Sequence, residues 1–316
     1  MPQHSETPEL PTGYLLRAPG THDSSAVTDV VVAGDVADYG EPNFTEDDLL
    51  DDWKRPRFDL ESDAWVLTGP TGRVVGYAYI WEADVDRGFE ADAFVVPEYH
   101  DRGLGNTLLA LIEARAYAVA RGRPMTIGMY ASTKNADKRA VLERRGYAPT
   151  YSVLRLKIDL ERRPPDEARP PEGVELRAYR DGDIEGVRRA MLDAFRGHHR
   201  YTPRRLDEWL ELRLRHPAFD PALWRVAVSD DEVVAAVLVY DVGGTGYMSS
   251  VGVREEWRGI GVAQALVADA FAALRERGQM RVLVTLDAEG ADSATRLFEE
   301  SGMHVHEQHD WFSRAL

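Results

Sequence analysis

The sequence predicts a mixed α/β fold, an α+β sheet with packed helices, built twice in tandem. Three features predict it: an internal repeat running the length of the chain, a Pro-rich join between the copies, and in each copy a glycine-rich turn between a strand and a long helix. The length of 316 residues agrees, since single hydrophobic cores stop growing at about 250–300 residues.

The repeat comes first, because missing one misreads a fold. Gly13-Tyr14-Leu15-Leu16-Arg17-Ala18 recurs as Gly173-Val174-Glu175-Leu176-Arg177-Ala178, and Asp23 recurs as Asp183. Trp65-Val66-Leu67 matches Trp224-Arg225-Val226, and Val74-Val75-Gly76 matches Val233-Val234-Ala235. Gly103-Leu104-Gly105 matches Gly261-Val262-Ala263, and Glu143 to Tyr147 matches Glu299 to Met303. The offset drifts only from 160 residues at Gly13 to 156 at Gly146. The segment 162–171 is charged and holds Pro164, Pro165, Pro170 and Pro171. Proline forbids a helix interior and stiffens the chain, so this segment reads as a linker. The expected organisation is a disordered lead-in over 1–12, a first domain over 13–161, the linker, and a second domain over 172–316.

Within each copy an extended opening segment precedes one or two helices. Thr45 to Leu50 starts like a capped helix, and Pro203 to Leu214 carries Leu206, Trp209, Leu210, Arg213 and Leu214 on one stripe. Three strands follow, joined by short turns in antiparallel style. They are Trp65–Thr68, Val74–Trp81 and Phe89–Val96 in the first copy, and Trp224–Ser229, Val233–Tyr240 and Gly246–Val253 in the second. After the glycine turn comes a long helix, Thr107–Arg121 or Ala265–Arg277, then strand, helix and final strand.

Composition narrows the function. The chain is 44% hydrophobic and 29% charged, which is globular, with no apolar run near the ~18–20 residues a membrane span needs. The polar, Pro-rich start lacks the basic and apolar regions of a signal peptide, so a cytoplasmic location is expected. The absence of cysteine excludes disulfides, thiolate zinc sites and a cysteine nucleophile. A net charge of -16 argues against a nucleic-acid partner. Acid concentrates between Asp35 and Asp63, at Glu46, Asp47, Asp48, Asp51 and Asp52. It reads either as a solvated helical face or as a mouth that attracts a cationic acceptor.

The chemistry sits in the turns. The first runs Val95, Val96, Pro97, Glu98, Tyr99, His100, Asp101, Arg102, Gly103, Leu104, Gly105, Asn106. The second runs Val251, Gly252, Val253, Arg254, Glu255, Glu256, Trp257, Arg258, Gly259, Ile260, Gly261, Val262, Ala263. Glycines let backbone approach phosphate oxygens, and unpaired N–H groups at the start of the next helix favour an anion. The arginine is expected to add a charge-assisted contact. A dinucleotide fingerprint wants a third glycine, and Leu108 and Gln264 fail it.

On these residues the chain resembles the GNAT acetyltransferases. Arg258-Gly259-Ile260-Gly261-Val262-Ala263 fits their R/Q-x-x-G-x-G/A signature, and His100-Asp101-Arg102-Gly103-Leu104-Gly105 fits it with His in the first place. The order of elements over nearly all of both copies is also similar, and the tandem form resembles two-domain actinobacterial GNAT proteins, of which mycothiol synthase is the best-known type. The resemblance implies acetyl-CoA as co-substrate and direct transfer to a small-molecule amine, without a covalent enzyme intermediate. It implies a pantetheine arm in the splay between the strands ending at Val96 and beginning near Met125, or at Val253 and near Arg281. Backbone N–H groups of Val95 or Val253 would steady the pantetheine and the developing oxyanion.

Such enzymes often place a carboxylate on the strand before the turn as general base. Glu90 and Asp92 stand there in the first copy, on one face opposite Ala91 and Ala93, while Met248, Ser249 and Ser250 replace them in the second. The usual tyrosine general acid is absent, with Leu142 and Phe298 in its place. The asparagine that commonly precedes that helix is kept as Asn135; Gly290 stands in its place in the second copy. His198 and His199 fall where the acceptor wall is built in this fold, and a histidine near neutrality can deprotonate an amine. His304, His306, His309 and Asp310 read as strand positions rather than a metal site. The second copy is expected to hold the principal acyl-CoA site, in a monomer or homodimer that binds neither nucleic acid nor membrane. A catalytically degenerate pair that binds acyl-CoA as a sensor or scaffold is the alternative.

Overall fold

A computed structural model describes residues 10–84, 88–198, 205–216, 218–242, 244–290 and 292–316. Most of the expected lead-in, His199 and the start of the helix expected from Pro203 therefore lie outside the described residues. The chain begins with β1 (Leu15–Arg17), α1 (Ser24–Tyr39), α2 (Glu46–Asp52), α3 (Leu60–Asp63), β2 (Ala64–Thr68), β3 (Val74–Asp84) and β4 (Gly88–Val95). It continues through α4 (Leu104–Ala120), β5 (Thr126–Ser132), α5 (Ala136–Arg144) and β6 (Ala148–Asp159). The second round is β7 (Glu175–Ala178), α6 (Ile184–Ala194), α7 (Leu206–Leu214), β8 (Arg225–Ser229), β9 (Glu232–Val242) and β10 (Thr245–Val253). Then come α8 (Val262–Glu276), β11 (Arg281–Asp287), α9 (Asp292–Glu300) and β12 (His304–Ala315).

These elements form two compact units. One is Met1–Val153 with Glu307–Leu316; the other is Leu154–His306. The division is not the single cut at the Pro-rich segment that the sequence suggested. The last ten residues pack with the first unit, and the end of β6 packs with the second. The cause is visible in the cores. Phe312 of β12 is fully buried beside Ile127 and Met129 of β5, while Leu156 and Ile158 of β6 lie in the core around α8.

In the first unit the strand order is β1-β2-β3-β4-β5-β12. All neighbours are antiparallel except β4 and β5, which are parallel. α4 covers one face, setting Leu104, Leu108 and Ile112 against Leu67, Ile80, Ala91 and Ile127. α1 covers the other, setting Val27, Val30 and Val31 against Val66, Tyr77 and Phe94. Burying each such side chain contributes about 1.5–3 kcal/mol. Gly128 of β5 is required where it stands, because a Cβ there would meet the Trp311 ring at 2.3 Å. The second unit repeats the plan in the order β6-β11-β10-β9-β8-β7. α8 lies on one face, with Leu266, Ala270 and Phe271 in its core, and α6 and α7 lie on the other, with Val187, Met191 and Trp209.

Both long helices begin three residues earlier than the sequence suggested. Gly103 and Gly261 take the left-handed conformation, φ +78° and +92°, and act as N-caps. The second half of each signature is thus the first helical turn itself.

One repeated clasp explains a repeated sequence. Arg17 grips Asp23 through both guanidinium nitrogens at 2.7 Å, and Arg177 grips Asp183 at 2.6 and 2.8 Å. Each aspartate also accepts a backbone N–H at 2.7 Å, from Gly20 and Arg180. The Arg17 guanidinium holds Asp23 down to about 2. Burial pushes Asp183 up, but its arginine and backbone partners leave it below the ordinary value. A depressed carboxylate stabilises the fold above its unfolded value of about 4 and loses that contribution as pH falls through the folded value. Asp23→Asn is expected to cost about 1–2 kcal/mol at pH 7, discounted because Arg17 is half exposed. The deficit should shrink as pH falls from about 4 toward 2. Denaturant unfolding across that range checks it, and a deficit independent of pH would disprove the linkage.

Candidate active site

Each unit opens a gap between its two parallel strands. The β10–β11 ladder runs from Thr245↔Arg281 to Met248↔Val284 and stops there. The β4–β5 ladder holds only Phe89↔Ile127 and Glu90↔Gly128. Beyond those points the strands carry backbone groups with no ladder partner on that side. The Arg254 N–H bonds Val234 O at 2.9 Å on the β9 side, and the Val96 N–H bonds Val75 O at 2.9 Å on the β3 side. Strand alternation therefore turns the Val253 and Val95 N–H groups into the gap.

The two gaps differ in one respect that the sequence hid. The β9–β10 register shifts between Met248 and Ser250, a bulge at Ser249 that the β3–β4 ladder lacks at the matching place. A bulge leaves one residue unpaired and re-aims the side chains beyond it. Gly246 before it faces Leu274 of α8, whereas Gly252 after it faces Ala190 and Met191 of α6. Ser250, not Met248, therefore occupies the position of Asp92.

At the mouth of each gap a helix begins without a side-chain cap. The first intrahelical bonds are Thr107 N–H to Gly103 O and Ala265 N–H to Gly261 O, each at 3.1 Å. The N–H groups before them have no acceptor inside the helix. A Cβ built at Gly103, Gly105, Gly259 or Gly261 would meet nothing within 4 Å, so the turn is open as an anion seat. The residues present fit a pyrophosphate.

The arginine has partners within the protein itself. Arg258 donates to Val253 O at 3.2 Å and to Asp193 O at 2.8 Å. His100 contacts the matching carbonyl, Val95 O, at 3.0 Å. Both side chains brace the turn against the end of its strand, so His is an adequate substitute for Arg. Arg102 likewise bonds Tyr14 Oη at 3.0 Å and lies over the Tyr99 ring. Asn106 sits in the first turn of α4. Asn135 caps α5, accepting from Lys138 N–H at 2.9 Å and donating to Asp38 at 3.3 Å, so both ends of its amide are engaged.

Glu90 and Asp92 share one face, as alternation implied, opposite Tyr79 and Trp81 of β3. Neither is a plain surface polar group. Asp92 is paired with Lys138, and Glu90 lies 3.8 Å from Arg55. Burial raises both above the ordinary carboxylate value, against the pull of Lys138 on Asp92 and of Arg55 on Glu90. The acidic stretch before them is largely spent locally. Asp48 accepts the Thr45 N–H at 2.9 Å as the capping box of α2, Asp51 pairs with Lys54, and Asp52 with Arg55.

In the second unit His198 follows α6 and sits 3.8 Å from Asp287, through Nε2, at the end of β11. Leu142 and Phe298, at the missing tyrosine positions, are core residues. His309 is engaged by Tyr39 at 3.3 Å and Glu307 at 2.9 Å, and no metal-ligating cluster of three occurs among the described residues. Nor is any helix among them long and apolar enough to cross a membrane. Sequence reasoning missed Lys138, Asp287 and the bulge. None of the three left a trace in the repeat, since the bulge adds a residue to the second copy while the offset there shrinks.

Known proteins agree with this arrangement. Residues 33–147 and 184–303 both match the model of the acetyltransferase (GNAT) family. A mycothiol acetyltransferase of Cellulomonas flavigena is 29% identical over 239 residues, 72% of this chain and 67% of that protein. A GCN5-related N-acetyltransferase from Sphaerobacter thermophilus superposes with a TM-score of 0.84 at 28% identity, over 97% of both chains. A tandem GNAT protein from the clavulanic acid biosynthesis pathway shares the fold, with a TM-score of 0.70 at 16% identity over 96% of this chain and 98% of that one. The chain belongs to the GNAT family, as a tandem N-acetyltransferase whose co-substrate is acetyl-CoA.

Proposed function

We propose that the second unit acetylates the primary amine of a small molecule by direct attack. The observation that carries this reading is the gap beside β10, where the ladder ends at Met248, Ser249 bulges, and α8 starts uncapped at Gly261. Acetyl-CoA supplies an activated thioester carbonyl and a thiolate that leaves without an acid. Gly259, Gly261, Val262 and Ala263 offer backbone to the pyrophosphate. The Val253 N–H, with the Val251 backbone, lines the gap and stabilises negative charge developing on the carbonyl oxygen. His198, whose Nε2 lies 3.8 Å from Asp287, accepts the proton of the attacking amine.

A second reading is favoured by the half-buried carboxylates of the first unit. A carboxylate raised toward the working pH is the better base, and Asp92 is raised by burial. Thiol release from acetyl-CoA over an amine panel separates the two. His198→Gln should lower kcat by about 10²–10⁴-fold with the KM for acetyl-CoA changed only a few-fold. If Asp92→Asn produces that loss instead, the first unit is the working one. In that case the acidic limb of kcat/KM lies above the ordinary carboxylate range in the wild type, because activity is lost as pH falls through the raised value.

A further inference from the structure

Several half-buried arginines among the described residues face a carboxylate. Arg145 grips Glu113, Arg115 pairs with Asp63, Arg139 with Asp310, and Arg225 with Asp269. Arg213 of α7 does not. Its guanidinium reaches the hydroxyls of Ser249 and Ser250 at 3.3 and 3.4 Å. Among the described residues no carboxylate lies within ion-pair distance of it. Its Nε is shut off from solvent and has no hydrogen-bond partner. Around it stand Tyr240, whose hydroxyl donates to the Arg213 carbonyl at 3.5 Å, and His216, whose ring is tilted 47° to that of Tyr240 at 4.5 Å between centres.

The place matters as much as the partner set. Ser249 is the bulge residue and Ser250 the first side chain beyond it, on the face covered by α6 and α7. On the proposed reading, with His198 beyond α6 as base, this is the face from which the acceptor reaches the gap. In the first unit the equivalent position carries Asp92. The second unit has exchanged that carboxylate for a hydroxyl with a guanidinium above it, an exchange of charge sign at one spot in the same fold.

Resting on the assignment of acetyl transfer to the second unit, we propose that Arg213, with Ser249 and Ser250, seats an oxyanion of the acceptor. The acceptor then carries an amine and an anionic group in one molecule. A planar fork suits a carboxylate or phosphate held by two parallel hydrogen bonds, and the two hydroxyls, which donate to the carbonyls of Leu238 and Ser249 at 3.2 and 2.7 Å, position the guanidinium from below. An anion drawn toward the guanidinium also gives the unpartnered Nε an acceptor.

Matched amines test the site on the full chain with acetyl-CoA, by thiol release. L-amino acids are compared with their amides, and O-phosphoethanolamine with ethanolamine. The wild type should favour the anionic member of at least one pair by tenfold or more in kcat/KM, mainly through KM. The pair that shows the preference tells carboxylate from phosphate. Arg213→Gln should reduce that ratio at least tenfold, and Arg213→Lys should recover part of it, since charge remains while the fork is lost. Ser250→Ala, a smaller change, should lower the ratio less and guards against a folding failure at Arg213. A wild-type ratio near one, or an Arg213→Gln loss equal on both members, overturns the proposal. If no amine is turned over, acetyl transfer by the second unit fails on its own account. The same acids and amides are then titrated by calorimetry. Tighter binding of the acids that disappears in Arg213→Gln upholds the oxyanion seat; equal binding, or none, overturns it.

Discussion

Gly261→Asp should weaken acetyl-CoA binding by about 10²–10³-fold, measured by isothermal titration calorimetry. Two effects act at this position. The residue has φ +92°, a left-handed conformation that costs a side chain about 1–2 kcal/mol in folding. That strain alone does not discriminate against ligand, and Gly261→Ala isolates it, since the added Cβ meets nothing within 4 Å. Alanine should therefore lower stability modestly and leave affinity within a few-fold. Aspartate adds a negative charge at the uncapped start of α8. At about 4 Å from a phosphate and an effective dielectric near 20, the repulsion is about 4 kcal/mol, close to a thousandfold before salt screening. Gly103→Asp is the matched variant in the first unit. If Gly261→Asp binds normally and Gly103→Asp does not, the first turn is the cofactor seat and the proposed division of labour is reversed.

What the sequence told, and what it did not, follows from the range of the interactions involved. The repeat, the strand alternation of Glu90 and Asp92, and the glycine turns are local features, and local features leave periodic or compositional marks. The true starts of α4 and α8 were missed because a left-handed glycine as N-cap reads the same as a glycine in a loop. The bracing of the turn by Arg258 was not visible because its partners, Val253 O and Asp193 O, are backbone carbonyls, which carry no sequence signal. Lys138 beside Asp92 is 46 residues away in sequence, and Asp287 beside His198 lies on a different element. Pairings at that range become visible only once the fold sets them together. Arg213 is the sharpest instance. In sequence it is one more residue of an amphipathic stripe, and its meaning comes from a bulge on another element. The Pro-rich segment misled in the opposite way. It marks where the repeat ends, but hydrogen bonding and burial decide where a unit ends.

That last point carries the largest expected effect on stability. Removing Glu307–Leu316 should unfold the first unit while the second stays folded. Along this stretch β12 pairs with β5 at seven consecutive positions, from His309↔Ser132 to Ala315↔Thr126. Phe312 fills the first unit's core, and Phe312→Ala alone should cost about 3–5 kcal/mol. Asp310 receives Arg139 and Ser152, and Arg314 donates to the Arg145 carbonyl at 2.8 Å beside the buried Glu113. The truncation removes all of these together, against a total stability of about 5–15 kcal/mol for an ordinary domain. Limited proteolysis with mass mapping reads the outcome: cleavage spreads across 10–153 and spares 172–306. A first unit that resists protease as the full chain does would show that its core closes without the strand. The reason for expecting collapse reaches back to the gap. β5 is joined to β4 by only two ladder pairs, the condition for the strands to part, so it is held in the sheet from its other edge. A strand that must stand off from one neighbour needs a firm partner on the other side, and in the first unit that partner is the end of the chain.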